Sequence, residues 1–215
     1  MRARIERAGG DPSVVRVVGV TKGFGPDAVR AALGAGLRDI GENYAAELVA
    51  KAKAKAVEAE AGGRPGGPVW HFLGAIQRNK VAALAEVVGV WQSVARAVEG
   101  ERIARFAPGA AVMVQVDVTG LPGRNGCRPG DVADVVGRLR SLPLDVIGLM
   151  TVAAPGREAA ASAFGEVARL ADELGLRERS MGMSDDLEEA VAAGSTMVRI
   201  GRALFGERAP ATGGG

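Results

Sequence analysis

The chain has 215 residues, 47% hydrophobic but only 4% aromatic, so a sizeable core must be built from aliphatic side chains and alanine. Lys and Arg number 27 against 25 Asp and Glu, and their scattered distribution indicates no nucleic-acid partner. The single cysteine, Cys127, excludes an intrachain disulfide, and the lack of a signal peptide or a long apolar run predicts a cytoplasmic protein with no membrane partner.

The elements, in chain order, alternate between short apolar runs and segments of helical periodicity, which is typical of repeated βα units. We predict strands at 14–21, 38–42, 69–74, 88–94, 111–117, 144–151, 178–183 and 197–201. Helices are predicted at 26–36, 44–60, 77–87, 96–107, 130–142, 157–175 and 185–193, with a short one after Gly201. This α/β pattern predicts a (β/α)8 TIM barrel, with a doubly wound open sheet as the alternative.

Three further segments receive a structural interpretation only. Gly and Pro dominate 61–68, which we interpret as a surface loop within one domain. That single barrel domain is predicted to span 1–208, and the tail 209–215, made of Ala, Gly, Pro and Thr, is predicted to be disordered. Lys51, Lys53 and Lys55 alternate with alanine on a predicted helix, and we interpret them as a solvated helix face.

The residues that end the predicted strands are the candidates for a functional site, because the loops after barrel strands gather at one rim. Lys22 closes the first apolar strand, where partial desolvation would favour a neutral amine able to attack a carbonyl. A surface cation that only snorkels from the strand end is the alternative. The other strand ends are Glu42, Asn43, Tyr44, Gly74, Ser93, Thr151, Met183, Ser184 and Gly201.

The ends of the last two strands are suited to an anion. Ser184 precedes the helical pattern Asp185-Asp186-Leu187, so it either caps that helix or, with the free amide groups there, meets a phosphate. Gly201 would allow the backbone after the eighth strand to approach a ligand closely.

Arg199 is predicted to point into the barrel. Alternation along the eighth strand places Val198 and Ile200 on one face and Arg199 on the other, so Arg199 points inward if the two aliphatic side chains pack against the helices. A guanidinium inside a barrel is costly without a partner, so Arg199 either joins an internal ion pair or meets a ligand.

Six blocks of sequence together resemble one family. They are Gly19-Val20-Thr21-Lys22, Gly41-Glu42-Asn43-Tyr44, the stretch 70–80, Gly148-Leu149-Met150-Thr151, and the stretches 180–188 and 194–201. From about residue 14 to 208 the chain resembles the pyridoxal phosphate homeostasis proteins, a barrel family related to the N-terminal domain of alanine racemase. The resemblance implies a single-domain, fold type III pyridoxal-phosphate-binding barrel.

The resemblance also implies roles for five residues. Lys22 would form a covalent aldimine with the aldehyde of pyridoxal 5′-phosphate, and Asn43 would lie close to the cofactor. Ser184 and the backbone around Gly201 would hold the phosphate, and Arg199 would face the pyridine nitrogen. A cation opposite that nitrogen disfavours its protonation and makes the ring a poorer electron sink, which suits binding better than catalysis.

The function implied by the resemblance is that of a non-enzymatic, monomeric carrier in intracellular vitamin B6 homeostasis. It would buffer pyridoxal phosphate or deliver it to apo-enzymes, with no catalytic residue and no metal. The alternatives are a pyridoxal-phosphate-dependent racemase and a barrel for another phosphorylated molecule. The related racemases draw a second base, a tyrosine, from a further domain, whereas the one tyrosine of this chain, Tyr44, adjoins Asn43. The one histidine, His71, we interpret as a core residue.

Overall fold

The strands close into a parallel barrel in chain order, in a computed structural model that describes residues 1–54 and 67–206. β8 pairs with β1 in parallel, with Val17 opposite Val198, so the barrel has no open edge. This closure confirms the TIM barrel and shows that the doubly wound alternative is wrong. The strands are β1 Arg16–Val20, β2 Asp39–Glu42, β3 Val69–Phe72, β4 Val88–Val94, β5 Ala111–Val116, β6 Asp145–Thr151, β7 Glu178–Ser180 and β8 Met197–Ile200.

Helices follow the strands and cover the outside of the barrel. In the described parts of the chain they are α1 Arg2–Arg7, α2 Pro26–Gly34, α3 Ala45–Ala52, α4 Val81–Ala85, α5 Ala97–Phe106, α6 Val132–Arg140, α7 Arg157–Glu173, α8 Leu187–Ala192 and α9 Arg202–Phe205. All eight predicted strands and the predicted helices that can be compared are present, although most are shorter. α1 precedes β1 and lies before the helices that the alternation predicts. The predicted end of the helix at 44–60, Lys55, most of the loop 61–68 and the tail 209–215 lie outside the described residues.

The helix predicted at 77–87 begins late because its first four residues form a turn. The amide of Lys80 donates to Gln77 O at 2.9 Å, and the regular helix α4 starts only at Val81. The side chains of Gln77 and Lys80 are exposed, so no apolar face anchors this segment to the barrel.

β8 separates its outer face from its inner face as the alternation predicts. Val198 and Ile200 are fully buried outside the barrel, in a cluster that also contains Ile5 of α1 and Leu187 of α8. Arg199, between them, points inward with only 5% exposure. The predicted orientation of Arg199 is therefore confirmed.

The interpretation of Lys51 as part of a solvated helix face is wrong. Its side chain is 5% exposed, whereas that of Lys53 is 63% exposed. α3 packs on the barrel through Leu48, and Lys51 follows Leu48 at the i+3 position on the same face of the helix. The lysine is tolerated there because buried carboxylate and carbonyl groups surround its amine.

No helix in the described ranges 1–54 and 67–206 is long and apolar enough to cross a membrane.

Candidate functional site

A cavity of about 430 Å³ opens at the carboxyl ends of the strands, at the rim where the sequence predicted a site. Its volume lies within the range of about 300–1,000 Å³ that is usual for small-molecule sites. The structure brings all five predicted cofactor residues to its wall: Lys22, Asn43, Ser184, Arg199 and Gly201.

Lys22 follows β1 in a short turn at the wall of the cavity. The turn is closed by a hydrogen bond from the Phe24 amide to Thr21 O at 3.0 Å. The Lys22 side chain is half-buried, so it does not lie on the surface as a freely solvated cation. The side chain therefore meets the first requirement for a carbonyl-reactive amine, which is access to a confined site.

Arg199 is held by uncharged oxygen atoms, not by the internal ion pair considered from the sequence. Its Nη1 donates to Ser180 O at 2.6 Å and Ser180 Oγ at 2.8 Å, and its Nη2 donates to Thr151 O at 2.7 Å. Burial lowers the pKa of the guanidinium to about 10, which still leaves it charged at neutral pH. Arg199 therefore presents a rigid, positively charged group to the cavity.

A chain of buried hydrogen bonds behind Arg199 fixes its position. Ser180 Oγ donates to Gln92 Oε1 at 2.6 Å, which turns the amide nitrogen of Gln92 toward His71 Nδ1 at 2.7 Å. His71 Nε2 lies 2.8 Å from Asp39 Oδ1. His71 is completely buried with both ring nitrogens hydrogen-bonded, which confirms its interpretation as a satisfied core residue.

Ser184 lines the cavity but does not cap the following helix. α8 begins at Leu187 with Asp186 at the N-cap position, and Asp186 Oδ1 accepts a hydrogen bond from the Met183 amide at 2.6 Å. The predicted helix start at 185 is thus two residues early, because Asp186 closes the preceding turn with its carboxylate. The role of Ser184 as a helix cap is excluded.

Two glycines allow backbone segments to meet at the rim. A Cβ atom at Gly74 would lie 1.9 Å from Asn43 O, so any other residue would displace Asn43. A Cβ atom at Gly201 would lie 3.3 Å from Val20 O, where β8 approaches β1. The close packing of β8 against β1 therefore favours glycine at position 201, in addition to the predicted approach of a ligand.

The cavity wall carries more basic than acidic groups. Arg202, which sequence analysis missed, lines it beside Lys22 and Arg199. Asp185, the one carboxylate among the described lining residues, forms a 2.6 Å ion pair with Arg202. Three basic side chains against one acidic side chain favour a ligand with negative charge. Arg202 could have been found from its place directly after the predicted eighth strand.

Gln115 and Met150 also line the cavity and were missed. Gln115 lies opposite Met150 in the pairing of β5 with β6. The alternation of β5 could have identified Gln115, because a polar residue inside an apolar strand points either to solvent or into the barrel.

Cys127 is expected to be unreactive in the native protein. Burial raises the pKa of its thiol to about 11, so only about one molecule in a thousand carries the reactive thiolate at pH 8. Mass spectrometry after brief exposure to iodoacetamide at pH 8 should show labelling only after denaturation. Fast labelling of the native protein would contradict this expectation.

The comparisons with known proteins agree with this geometry. The family model for the N-terminal domain of alanine racemase matches residues 2–209. A pyridoxal phosphate homeostasis protein of Pseudomonas aeruginosa is 40% identical, with the alignment covering 97% of this chain and 91% of the relative. PipY of Synechococcus elongatus, solved with PLP bound, is 31% identical with a TM-score of 0.76, covering 95% of this chain and 99% of PipY.

An alanine racemase of Clostridium difficile shares the fold alone. It is 17% identical with a TM-score of 0.70, and the match covers 97% of this chain but 56% of the racemase. The matches to the homeostasis protein and to PipY, in contrast, extend over nearly the full length of both chains. The chain belongs to the alanine racemase N-terminal domain family, and within that family to the pyridoxal phosphate homeostasis proteins.

Proposed function

We propose that the protein binds pyridoxal 5′-phosphate through an aldimine on Lys22 and buffers or delivers it in intracellular vitamin B6 homeostasis. The observation that carries this proposal is the convergence of Lys22 and the rigid cation Arg199 on one net-basic cavity. The names of the relatives and the PLP-bound structure of PipY support it.

The residues of the cavity fit the chemical groups of this cofactor. The Lys22 amine can condense with the aldehyde, forming a C=N bond and releasing water. Arg199 can donate to the lone pair of an unprotonated pyridine nitrogen, and Ser184, Arg202 and the backbone at Gly201 can bind the phosphate. Asn43 lies in the same wall and can contact the ring substituents.

A carrier role is favoured over a racemase because the cavity wall offers no evident second base. Tyr44 is 57% exposed and lies outside the cavity lining. Among the lining residues that the structure describes, Asp185 is the only carboxylate, and Arg202 engages it. An arginine at the ring nitrogen also weakens the electron withdrawal on which racemisation depends.

The test is cofactor transfer together with a search for turnover. Purified protein loaded with pyridoxal phosphate should show the visible band of a protonated imine and should activate an apo-enzyme that depends on this cofactor. We expect no racemisation of D- or L-alanine. Sustained racemisation that Lys22→Ala abolishes would overturn the carrier proposal in favour of an enzyme.

We further propose that residues 1–208 act as one domain and that the protein is a cytoplasmic monomer with apo-enzymes as transient partners. The closed barrel supports this, because the described strands leave no sheet edge for pairing with another chain. Light scattering of the loaded protein would test the monomer.

A further inference from the structure

Beneath the Lys22 turn lies a group of three charged side chains, two of which are buried. Lys51 Nζ lies 2.5 Å from Glu42 Oε1, 2.8 Å from Thr21 O and 3.1 Å from Glu47 Oε2. The side chains of Lys51 and Glu42 are 5% and 0% exposed. The three acceptors match the three N–H donors of an ammonium group, so its hydrogen bonding is complete. We call Glu42, Glu47 and Lys51 the Lys51 cluster.

The Lys51 cluster contacts the backbone on both sides of Lys22. On the N-terminal side, Thr21 O accepts a hydrogen bond from Lys51 Nζ, and Thr21 Oγ1 donates to Glu42 Oε1 at 2.9 Å. On the C-terminal side, the Gly23 amide donates to Glu47 Oε2 at 2.9 Å. Asn43 lies at another wall of the cavity, and its backbone N–H donates to Glu42 Oε2 at 3.2 Å. The cluster thus restrains the backbone at three residues around the cavity: Thr21, Gly23 and Asn43.

We propose that the Lys51 cluster is a positioning device that holds the Lys22 turn so that its amine meets a bound aldehyde in a reactive geometry. The proposal rests on the proposed function of Lys22. The side chains of the Lys51 cluster would not touch the ligand, because none of them is among the described residues that line the cavity.

The physical reason is that Lys22 lies just beyond the end of β1, where the strand pairing no longer restrains the backbone. The regular strand ends at Val20. A lysine side chain already has four rotatable bonds. Additional backbone motion would lower the fraction of molecules in which the amine is placed to react with the aldehyde. Charge-assisted hydrogen bonds from a buried cluster remove the backbone part of that freedom.

The same arrangement keeps the second amine out of the chemistry. Lys51 has its three donors occupied and is buried, so its nitrogen has no lone pair for an aldehyde. Lys22 is the only lysine among the described residues of the cavity wall. The cluster therefore provides positioning without a competing reaction.

The test compares Lys51→Met and Glu47→Ala with the matched variant Glu99→Ala. Glu99 is a buried carboxylate that accepts the amides of Ala95 and Arg96 in the loop after β4, outside the cavity wall. Glu47→Ala is included because its side chain is 36% exposed and its loss is more easily tolerated than that of Lys51.

The first measurement needs no ligand. Hydrogen exchange of the segment 21–24, followed by mass spectrometry, should become at least about tenfold faster in both cluster variants and not in Glu99→Ala. Unchanged exchange in the folded cluster variants would overturn the proposal, whatever the protein does with pyridoxal phosphate.

The second measurement separates positioning from binding. Stopped-flow absorbance should show imine formation at saturating pyridoxal phosphate slowed by about tenfold or more in the cluster variants. Their affinity for pyridoxine 5′-phosphate, which has an alcohol in place of the aldehyde, should stay within about twofold. The positioning proposal would be wrong if the rate of imine formation and the affinity for pyridoxine 5′-phosphate fell equally. It would also be wrong if Glu99→Ala slowed imine formation as much as the cluster variants do. Absence of any imine in the wild-type protein would instead refute the proposed function, and hydrogen exchange would still decide on the cluster.

Discussion

Lys22→Ala is expected to abolish the visible absorption band of protein loaded with pyridoxal phosphate and to lower the affinity for the cofactor by about 100-fold or more. The reason is that no other described lysine lines the cavity, and the nearby Lys51 has all its N–H donors engaged. The proposed phosphate-binding residues remain in the variant, so weak, non-covalent binding should persist. Absorbance spectra and equilibrium dialysis measure the two effects.

Lys53→Ala is the matched control for this substitution. Its side chain is 63% exposed, and it does not line the cavity. It should load with the same spectrum and affinity as the wild-type protein. A band that survives in Lys22→Ala, or mass spectrometry that finds the cofactor on another lysine after reduction, would refute the assignment of Lys22.

Lys51→Met is expected to lower the free energy of unfolding by about 3 kcal/mol, because it strands the carboxylate of Glu42 in the interior. Two neutral groups, the Thr21 hydroxyl and the backbone N–H of Asn43, still donate hydrogen bonds to the Glu42 carboxylate and limit the loss of stability. Combining Lys51→Met with Glu42→Leu should cost less than the sum of the single changes, with a coupling of about 2 kcal/mol. Urea unfolding followed by tryptophan fluorescence measures all four proteins of the cycle.

The surface pair Lys53 and Glu86 provides the matched control cycle. Its atoms are 3.6 Å apart and both side chains are more than 60% exposed, so solvent screens the attraction and no coupling should be measurable. Similar coupling in the two cycles would mean that burial adds nothing to the Glu42 and Lys51 interaction. That result would also remove the energetic basis for the positioning role.

Local pattern was sufficient for the order of the elements and for part of the cavity wall. The apolar runs of β1 and β8 are short and bounded by Gly or Lys, so their ends, Lys22 and Gly201, could be located without coordinates. The start of α8 could not, because the Asp186 carboxylate accepts the Met183 amide and holds the residues before the helix in a turn. Such competition between side chain and backbone leaves no periodic signal.

The sequence by itself determined the alternation of strands and helices, the inward direction of Arg199 and the rim positions of Lys22 and Gly201, because each depends on period and on position within an element. The tertiary structure alone decided which groups accept the hydrogen bonds of the Arg199 guanidinium and where Lys51 lies. Arg199 is bonded by carbonyl groups of two other strands, and Lys51 by groups of β2 and of the β1 turn. The partners of Arg199 lie 19 and 48 residues away and those of Lys51 lie 30 and 9 residues away. They meet because neighbouring strands pair side by side, so no local pattern contains them.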